Sequence, residues 1–454
     1  MPRKTACAIL FLAVMLLGLR YGPEYSKVET LDASVLVELR QRNLPVPPQP
    51  AVHGRTAKRA RTVRIFPNVP LNVRGLEDPT GDLTTFYEAL WRTQAKAPGA
   101  VTRVLHYGDS PVTADSITAD ARSLLQRRFG DAGHGFVLIA KPWAWYNHRG
   151  IHLTSHGWQI QPASQSHARD NLHGLGGVNF IGSPGASSTI DLPDDQHTRA
   201  EIYFEQQPGG GMFTVTAGNT LLGEVDTTAP DKAPGFRVFQ LPPETRQVTL
   251  AVQSGLVRLF GWSFEKDGPG IIYDSLGLNG AQVQVALRYF EPKQWAEELQ
   301  HENPDLVVIN YGTNESVYPA YIERYYENEL RALIGRVRAA VPRASMLIMS
   351  PMDRGVREEG RIVTPDVLPR IVEIQAKVAR ETGCAFFNTF QAMGGAGTMA
   401  KWYASEPRLV SADFMHPLPG GAAIVGRLLN AALVDGFERF LKSRMQARAH
   451  VPES

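Results

Sequence analysis

Residues 101–110 have the sequence VTRVLHYGDS. The first seven residues are mostly apolar or β-branched and predict a strand. The segment that follows, up to Gly130, places its apolar residues on one side of a helix. Gly108, Asp109 and Ser110 are therefore expected in a strand-to-helix loop, at the carboxyl end of a strand, where open α/β sheets build their sites.

The chain after residue 270 alternates in the same way between strands and helices. Buried-type strands are predicted at 306–310, 345–350 and 385–387, and helices at about 320–340, 366–381 and 420–442. Strands that alternate with helices form a parallel sheet that is covered on both faces. The expected fold class is therefore α/β.

Residues 150–268 follow a different pattern. Short β-prone segments are separated by turn residues, at 200–204, 212–216, 247–252 and 256–262. Such segments with few helical patterns are typical of an antiparallel sandwich. We predict a β-sandwich module at 150–268, inserted into an α/β domain that is formed by residues 79–149 and 269–445.

The N-terminal residues have the pattern of an export signal. Arg3 and Lys4 precede an apolar run at residues 6–19, which is shorter than the roughly 20 residues of a spanning helix. Because no Ala-x-Ala site follows, an uncleaved signal anchor at 1–22 is favoured over a cleaved signal peptide. Residues 23–78, rich in proline and arginine, are expected to form a tether. This predicts a periplasmic or cell-envelope protein that is anchored to the inner membrane.

Composition excludes several classes of protein. A chain of 454 residues, 43% of them hydrophobic, is long enough for two or three globular domains. The net charge of +2 gives no overall field that would attract nucleic acid. Two cysteines exclude a disulfide framework and a cysteine-rich zinc site. We expect no metal and no cofactor, and we expect a monomer.

Two further short motifs carry groups that can assist a serine nucleophile. Asn314 follows the predicted strand 306–310, and its amide can donate to an oxyanion. Asp413 precedes His416 by three residues, a spacing at which a carboxylate can orient an imidazole that takes the serine proton. Taken alone, each motif is more often a turn or an ordinary surface segment. Their order and their positions at strand ends make the combination specific.

In these blocks the sequence resembles the SGNH (GDSL) serine hydrolases. The resemblance implies that Ser110, Asp413 and His416 form a catalytic triad. It also implies an oxyanion hole formed by Ser110, Asn314 and a glycine of the block at 276–281. We place that glycine donor at Gly280, with Gly277 as the alternative, and we expect Asp109, Gly277 and Gly312 to support the site.

The sequence is most similar to bacterial peptidoglycan O-acetylesterases within that family. The similar segments are 126–133, 273–281, 312–315 and 392–399. The resemblance implies a flavodoxin-like, three-layer α/β/α hydrolase that is interrupted by a jelly-roll module similar to carbohydrate-binding modules. It departs from the family at Pro111, which follows Ser110 and has no backbone N–H.

The expected function is removal of O-acetyl groups from a cell-envelope polysaccharide, with peptidoglycan as the first candidate. The same triad can transfer acetyl to a sugar if water is excluded, so an O-acetyltransferase stays an alternative. Two further alternatives remain. One is an esterase for lipids or other carboxyl esters, and the other is a non-catalytic polysaccharide-binding protein. Trp143, Trp145 and Tyr146 are either sugar-stacking residues or a hydrophobic plug at the domain junction.

Overall fold

The computed structural model describes residues 75–166 and 168–449, with side chains up to residue 446. The predicted signal segment 1–22 and the tether up to residue 74 lie outside these residues. Within the described part of the chain, no helix is both long enough and apolar enough to cross a membrane.

The first described segment forms a strand-turn-helix unit around Ser110. Its elements are β1 (Leu76–Glu77), α1 (Thr84–Gln94), β2 (Val101–Gly108), α2 (Ser110–Thr113), α3 (Ser116–Phe129) and β3 (Gly133–Val137). Pro111 lies in the first turn of α2, where a helix does not use the backbone N–H that proline lacks. The predicted strand-to-helix loop at Ser110 is thus a one-turn helix that begins at the serine itself.

The middle of the chain forms two antiparallel sheets. Their strands are β4 (His152–His156), β5 (Gln159–Pro162), β6 (Val178–Gly182), β7 (Ser187–Asp191), β8 (Arg199–Gln206), β9 (Met212–Ala217), β10 (Thr220–Asp226), β11 (Ala233–Gln240), β12 (Gln247–Ser254) and β13 (Val257–Glu265). One sheet has the order β10-β9-β12-β7-β4 and the other β11-β8-β13-β6-β5. Phe204 and Phe213, from different sheets, pack edge to face with ring centroids 5.8 Å apart. The sheets form the β-sandwich that the sequence predicts.

The predicted boundary of this module needs correction at its start. β3 was assigned to the hydrolase domain, but it pairs antiparallel with β13 of the sandwich. Gly133 and Gly135 allow this close approach, since a Cβ atom on Gly133 would lie 2.5 Å from the Glu265 Cα atom. The module therefore begins near residue 133 rather than at residue 150.

The last segment completes the α/β domain. Its strands are β14 (Gly270–Gly277), β15 (Leu306–Asn310), β16 (Ser345–Met349), β17 (Val356–Glu358), β18 (Arg361–Val363) and β19 (Ala385–Phe387). Its helices are α4 (Val283–Tyr289), α5 (Pro292–Glu302), α6 (Pro319–Tyr321), α7 (Glu327–Ala340), α8 (Val367–Thr382), α9 (Thr389–Ala392), α10 (Thr398–Ala404) and α11 (Pro419–Ala449). A 3₁₀ turn (Glu315–Val317) and a π-helical turn (Ile322–Tyr326) precede α7.

The central sheet has the strand order β1-β19-β16-β15-β2-β14. All its neighbours pair in parallel except β1, which is antiparallel to β19. Successive strand residues contribute to different hydrophobic clusters: Val308 packs in the cluster that contains α3 and α11 residues, and Val307 in the cluster that contains α7 and α8 residues. This alternation between two faces confirms a parallel sheet between two helical layers.

The strand that carries Ser110 lies between the strands that carry the other predicted blocks. β14 pairs with one edge of β2 and β15 with the other, so that Gly108 lies opposite both Gly277 and Asn310. After β2 the chain first adds β14 on one side of β2 and then adds β15 on the other side. The direction in which strands are added to the sheet therefore reverses at β2. Ligand sites in open α/β sheets form at the carboxyl ends of strands at such a point.

Candidate active site

Ser110, His416 and Asp413 form a continuous hydrogen-bonded chain. The Ser110 Oγ atom lies 2.8 Å from Nε2 of His416, and Nδ1 of the same ring lies 2.6 Å from Oδ2 of Asp413. Both distances are within normal hydrogen-bonding range. If Nδ1 donates to the carboxylate, Nε2 is left to accept the serine proton, which is the arrangement of a nucleophile, a base and an orienting acid.

The Asp413 carboxylate is held by more donors than the histidine ring alone. Its Oδ1 atom accepts backbone N–H groups of Met415 and His416, both at 3.0 Å, and the hydroxyl of Ser411. Burial opposes its ionisation, but the hydrogen bonds from Ser411 and His416 hold the pKa of Asp413 at about 2. The carboxylate is therefore ionised throughout the neutral range and can stabilise an imidazolium.

The loop that carries the acid and the base is fixed by its neighbours. Phe414, between them in sequence, has a left-handed φ of 59°, and its carbonyl accepts the backbone N–H of Gly355 at 2.8 Å. Its ring packs edge to face on Tyr403, with centroids 4.8 Å apart. These contacts hold Asp413 and His416 on the same side of the loop, facing the end of β2.

Asn314 lies at the end of the neighbouring strand β15, as the sequence predicts. Its side-chain nitrogen donates to the carbonyl of Ala281 at 2.8 Å. An amide nitrogen carries two hydrogens, so this bond positions the group and leaves one donor. Gly280, which precedes Ala281, is exposed in the turn after β14 and has a φ of +70°. The asparagine and glycine blocks are thus joined directly.

Glu315 is a second link between these blocks, and the sequence analysis assigned it no role. It is completely buried. Its Oε1 accepts the N–H of Val283 at 2.8 Å, and its Oε2 accepts the N–H of Gly312 at 3.0 Å. Burial raises the pKa of Glu315 to about 8. The side chain fixes the turn that carries Asn314 against the turn that carries Gly280.

Gly277 and Gly312 have supporting positions of different kinds. A Cβ atom on Gly277 would lie 2.0 Å from the Thr113 nitrogen, so only glycine lets α2 rest directly on β14. Gly312 has a φ of +127°, and its N–H is bound by Glu315. Gly277 is buried in the strand and Gly280 is exposed in the turn beyond it, and the choice between these two oxyanion donors stays a prediction.

Comparison with known proteins shows a similarity to one family. The sequence model of the GDSL-like Lipase/Acylhydrolase family matches residues 250–424, about two fifths of the chain. This part of the chain is similar to the acyl ester hydrolases of that family. A comparison with curated proteins gave no match.

Solved structures of SGNH/GDSL hydrolases are similar to this chain. A structure described as a peptidoglycan O-acetylesterase in action has a TM-score of 0.69 and 21% identity, and the match covers 80% of this chain and 99% of that one. Axe2, an acetylxylan esterase from Geobacillus stearothermophilus, has a TM-score of 0.28 and 20% identity, and covers 36% of this chain and 73% of its own. The match to the peptidoglycan O-acetylesterase shows that nearly the whole of that protein shares the fold of this chain.

Asp109 lies beside Ser110 in sequence but is buried. Only 3% of it is exposed, and its Oδ2 atom has no hydrogen-bond partner. Burial raises its pKa to about 6, although the Thr313 side chain and His416 favour the ionised form. Its backbone carbonyl accepts the N–H groups of Val112 and Thr113, so the residue shapes the turn on which Ser110 lies.

The three aromatic residues proposed for sugar stacking divide into two groups. Trp143 and Tyr146 are buried in the hydrophobic core and present no face to a ligand, which corrects their assignment to substrate binding. The Tyr146 hydroxyl accepts the N–H of Leu138 at 2.9 Å. Trp145 is 53% exposed and stays a candidate. The first two form the hydrophobic plug that was the alternative interpretation.

Ser411 and Arg354 also contact the loops of the candidate site and were not predicted. Ser411 donates to Asp413, and its position two residues before the acid was a signal that sequence reasoning could have used. Arg354 donates to the carbonyl of Ser316 at 3.2 Å. No sequence pattern singles it out, because its environment depends on three loops that are distant in the chain.

Proposed function

We propose that the protein is an exported serine esterase that removes O-acetyl groups from a cell-envelope polysaccharide. The observation that carries this proposal is the hydrogen-bonded chain from Ser110 through His416 to Asp413 at the carboxyl end of β2. The fold match to a peptidoglycan O-acetylesterase favours peptidoglycan as the polysaccharide. Export and anchoring rest on residues 1–22, and sugar binding by the β-sandwich module is part of the same proposal.

In the acylation step, the Ser110 Oγ atom attacks the acetyl carbonyl carbon while Nε2 of His416 takes its proton. The developing oxyanion is stabilised by the backbone N–H groups of Ser110 and Gly280 and by the free hydrogen of the Asn314 amide. His416 then gives its proton to the sugar oxygen, which leaves as a hydroxyl group. The product of this step is an acetyl ester on Ser110.

In the deacylation step, water attacks the acetyl carbonyl carbon while Nε2 of His416 takes a proton from the water. The bond between the acetyl carbon and the Ser110 Oγ atom then breaks, His416 returns its proton to that oxygen, and acetate leaves. About half of the His416 and Asp413 side chains is exposed, at 46% and 49%. This exposure supports hydrolysis over acetyl transfer, because a transferase needs an acyl-enzyme that water cannot reach.

The test uses the full-length protein in detergent and measures acetate released from O-acetylated peptidoglycan. The wild-type protein is expected to release acetate, and the Ser110→Ala variant is expected to release none above background while melting at the same temperature. Transfer is distinguished by adding an acceptor glycan and following its acetylation. Binding of polysaccharide without acetate release by either variant would contradict the esterase proposal.

A further inference from the structure

Arg354 lies between the two loops that supply the active site. It follows β16 in a loop at the carboxyl edge of the sheet, and only 8% of it is exposed. On one side its Nη2 donates to Ser316, two residues beyond Asn314, at 3.2 Å. On the other side the next residue, Gly355, donates to the carbonyl of Phe414, which lies between Asp413 and His416. The segment that carries Arg354 thus joins the loop that follows Asn314 to the loop that carries Asp413 and His416.

Among the described residues, no carboxylate lies within 4.0 Å of this guanidinium. The Nε atom is buried and has no hydrogen-bond partner. The adjacent Asp353 does not neutralise it, since the Asp353 carboxylate accepts the Thr364 hydroxyl at 2.6 Å and the Met399 N–H at 2.8 Å. Burial, with no opposing charge, lowers the pKa of Arg354.

Among the described residues, the one other arginine that is buried is paired with a carboxylate: Arg122 binds Asp115 at 2.6 Å. The partly buried Arg103 is paired as well, with Glu265 at 2.6 Å and Glu302 at 3.0 Å. A buried charge is unfavourable unless a partner compensates it. Arg354 has no carboxylate partner and joins the loop that follows Asn314 to the loop that carries Asp413 and His416. An external anion would therefore gain from pairing with its guanidinium, and the planar fork of arginine fits a carboxylate.

We infer that Arg354 binds a carboxylate group of the substrate, so that the preferred substrate is an acidic O-acetylated glycan. Tyr318 follows Ser316 by two residues and is 56% exposed, which gives the same rim an aromatic surface for a sugar ring. The inference rests on the proposed esterase function. The carboxylate can come from a uronic acid or from the stem peptide of peptidoglycan.

The first experiment compares kcat/KM on three acetylated polymers: a polyuronate, peptidoglycan and a neutral glucan. In Arg354→Gln, the ratio of acidic to neutral activity should fall at least tenfold for one of the acidic polymers, and which one falls identifies the source of the carboxylate. Arg354→Lys should retain part of the preference. Arg343→Gln is the matched control, since Arg343 is exposed just before β16, at its opposite end, and should leave the ratio unchanged.

A second readout does not depend on turnover. Calorimetry of deacetylated uronate and peptidoglycan fragments should show at least tenfold weaker binding to Arg354→Gln than to wild type. Equal losses on acidic and neutral polymers, with unchanged fragment binding, would mean that Arg354 only holds the loops together and would overturn the inference. Absence of acetate release from every polymer, with Arg354-dependent fragment binding intact, would instead refute the esterase proposal alone.

Discussion

The Ser110 hydroxyl and Nε2 of His416 lie 2.8 Å apart although 306 positions separate the two residues in the chain. The contact forms because β2 ends between β14 and β15 in the sheet and the loop before α11 brings His416 to that end. The inserted sandwich lies between them in sequence and leaves the contact intact. The predictions below test the parts that hold this pair in place.

Replacing Asp413 by asparagine should lower kcat about 10³-fold or more, because the imidazolium loses its charged partner and the ring loses its preferred tautomer. Ser411→Ala is the graded comparison, since it removes only one of the hydrogen bonds to Oδ1. It should cost less than about tenfold. Steady-state kinetics on a chromogenic acetate ester measure both. Equal losses in the two variants would argue against Asp413 as the orienting acid.

Asn314→Ala should lower kcat by about 10²- to 10³-fold, the usual effect of removing one oxyanion-hole donor. KM should change little, since the donor acts on charge that develops in the transition state. Asn328→Ala, an exposed asparagine in α7, serves as the control and should behave as wild type. A variant that loses affinity but keeps its turnover would show that Asn314 binds substrate rather than the oxyanion.

Glu315→Gln should lower kcat about tenfold or more with a smaller effect on KM. The glutamine amide can accept only one of the two backbone N–H groups that Glu315 binds, so the turns that carry Asn314 and Gly280 lose one of their links. A buried unsatisfied donor also costs about 1–3 kcal/mol of folding free energy. Thermal melting and kinetics report the two effects. Glu323→Gln, an exposed change in the same segment, is the control.

Asp109→Asn should stabilise the protein increasingly as the pH rises. Burial raises the pKa of Asp109 to about 6, so its ionised form is disfavoured in the folded state. Its contribution to stability is complete below about pH 4 and is lost as the pH rises through 6. The free energy of unfolding of the variant minus that of wild type should therefore grow by up to about 3 kcal/mol between pH 4 and 7.

Denaturant titrations at several pH values give this difference directly. A difference between Asp109→Asn and wild type that stays constant with pH would contradict a buried, titrating Asp109. Carboxyls that do not interact with Asp109 titrate equally in both proteins and cancel in the comparison. Glu315 does not cancel, because the charge of Asp109 contributes to its raised pKa, so Glu315→Gln is combined with Asp109→Asn to separate the two titrations.

Sequence reasoning identified the parts of the fold that follow from local pattern. The α/β class is confirmed, since buried strands alternating with helices leave a clear periodicity. The sequence pattern does not predict β3, because two of its five residues, Gly133 and Gly135, are glycines, which are depleted in strands. Its pairing with β13 depends on a strand more than a hundred residues away.

The site was predictable where a residue type is scarce and its spacing is fixed, as for Asp413 and His416. It was not predictable where a role depends on burial. Trp143 and Tyr146 have the composition of a sugar platform, but the packing of β3 against the sandwich buries them. Arg354 is one of many arginines in the sequence, and only the folded loops show that it has no acidic partner.

The most direct test of the central claim is to trap the acyl-enzyme. The full-length protein is mixed briefly with an acetyl ester, quenched in acid and digested, and its peptides are weighed by mass spectrometry. The peptide that contains Ser110 should gain the mass of one acetyl group, and this gain should be absent in Ser110→Ala. Acetylation at another residue, or undiminished acetate release by Ser110→Ala, would contradict the assignment of Ser110 as the nucleophile.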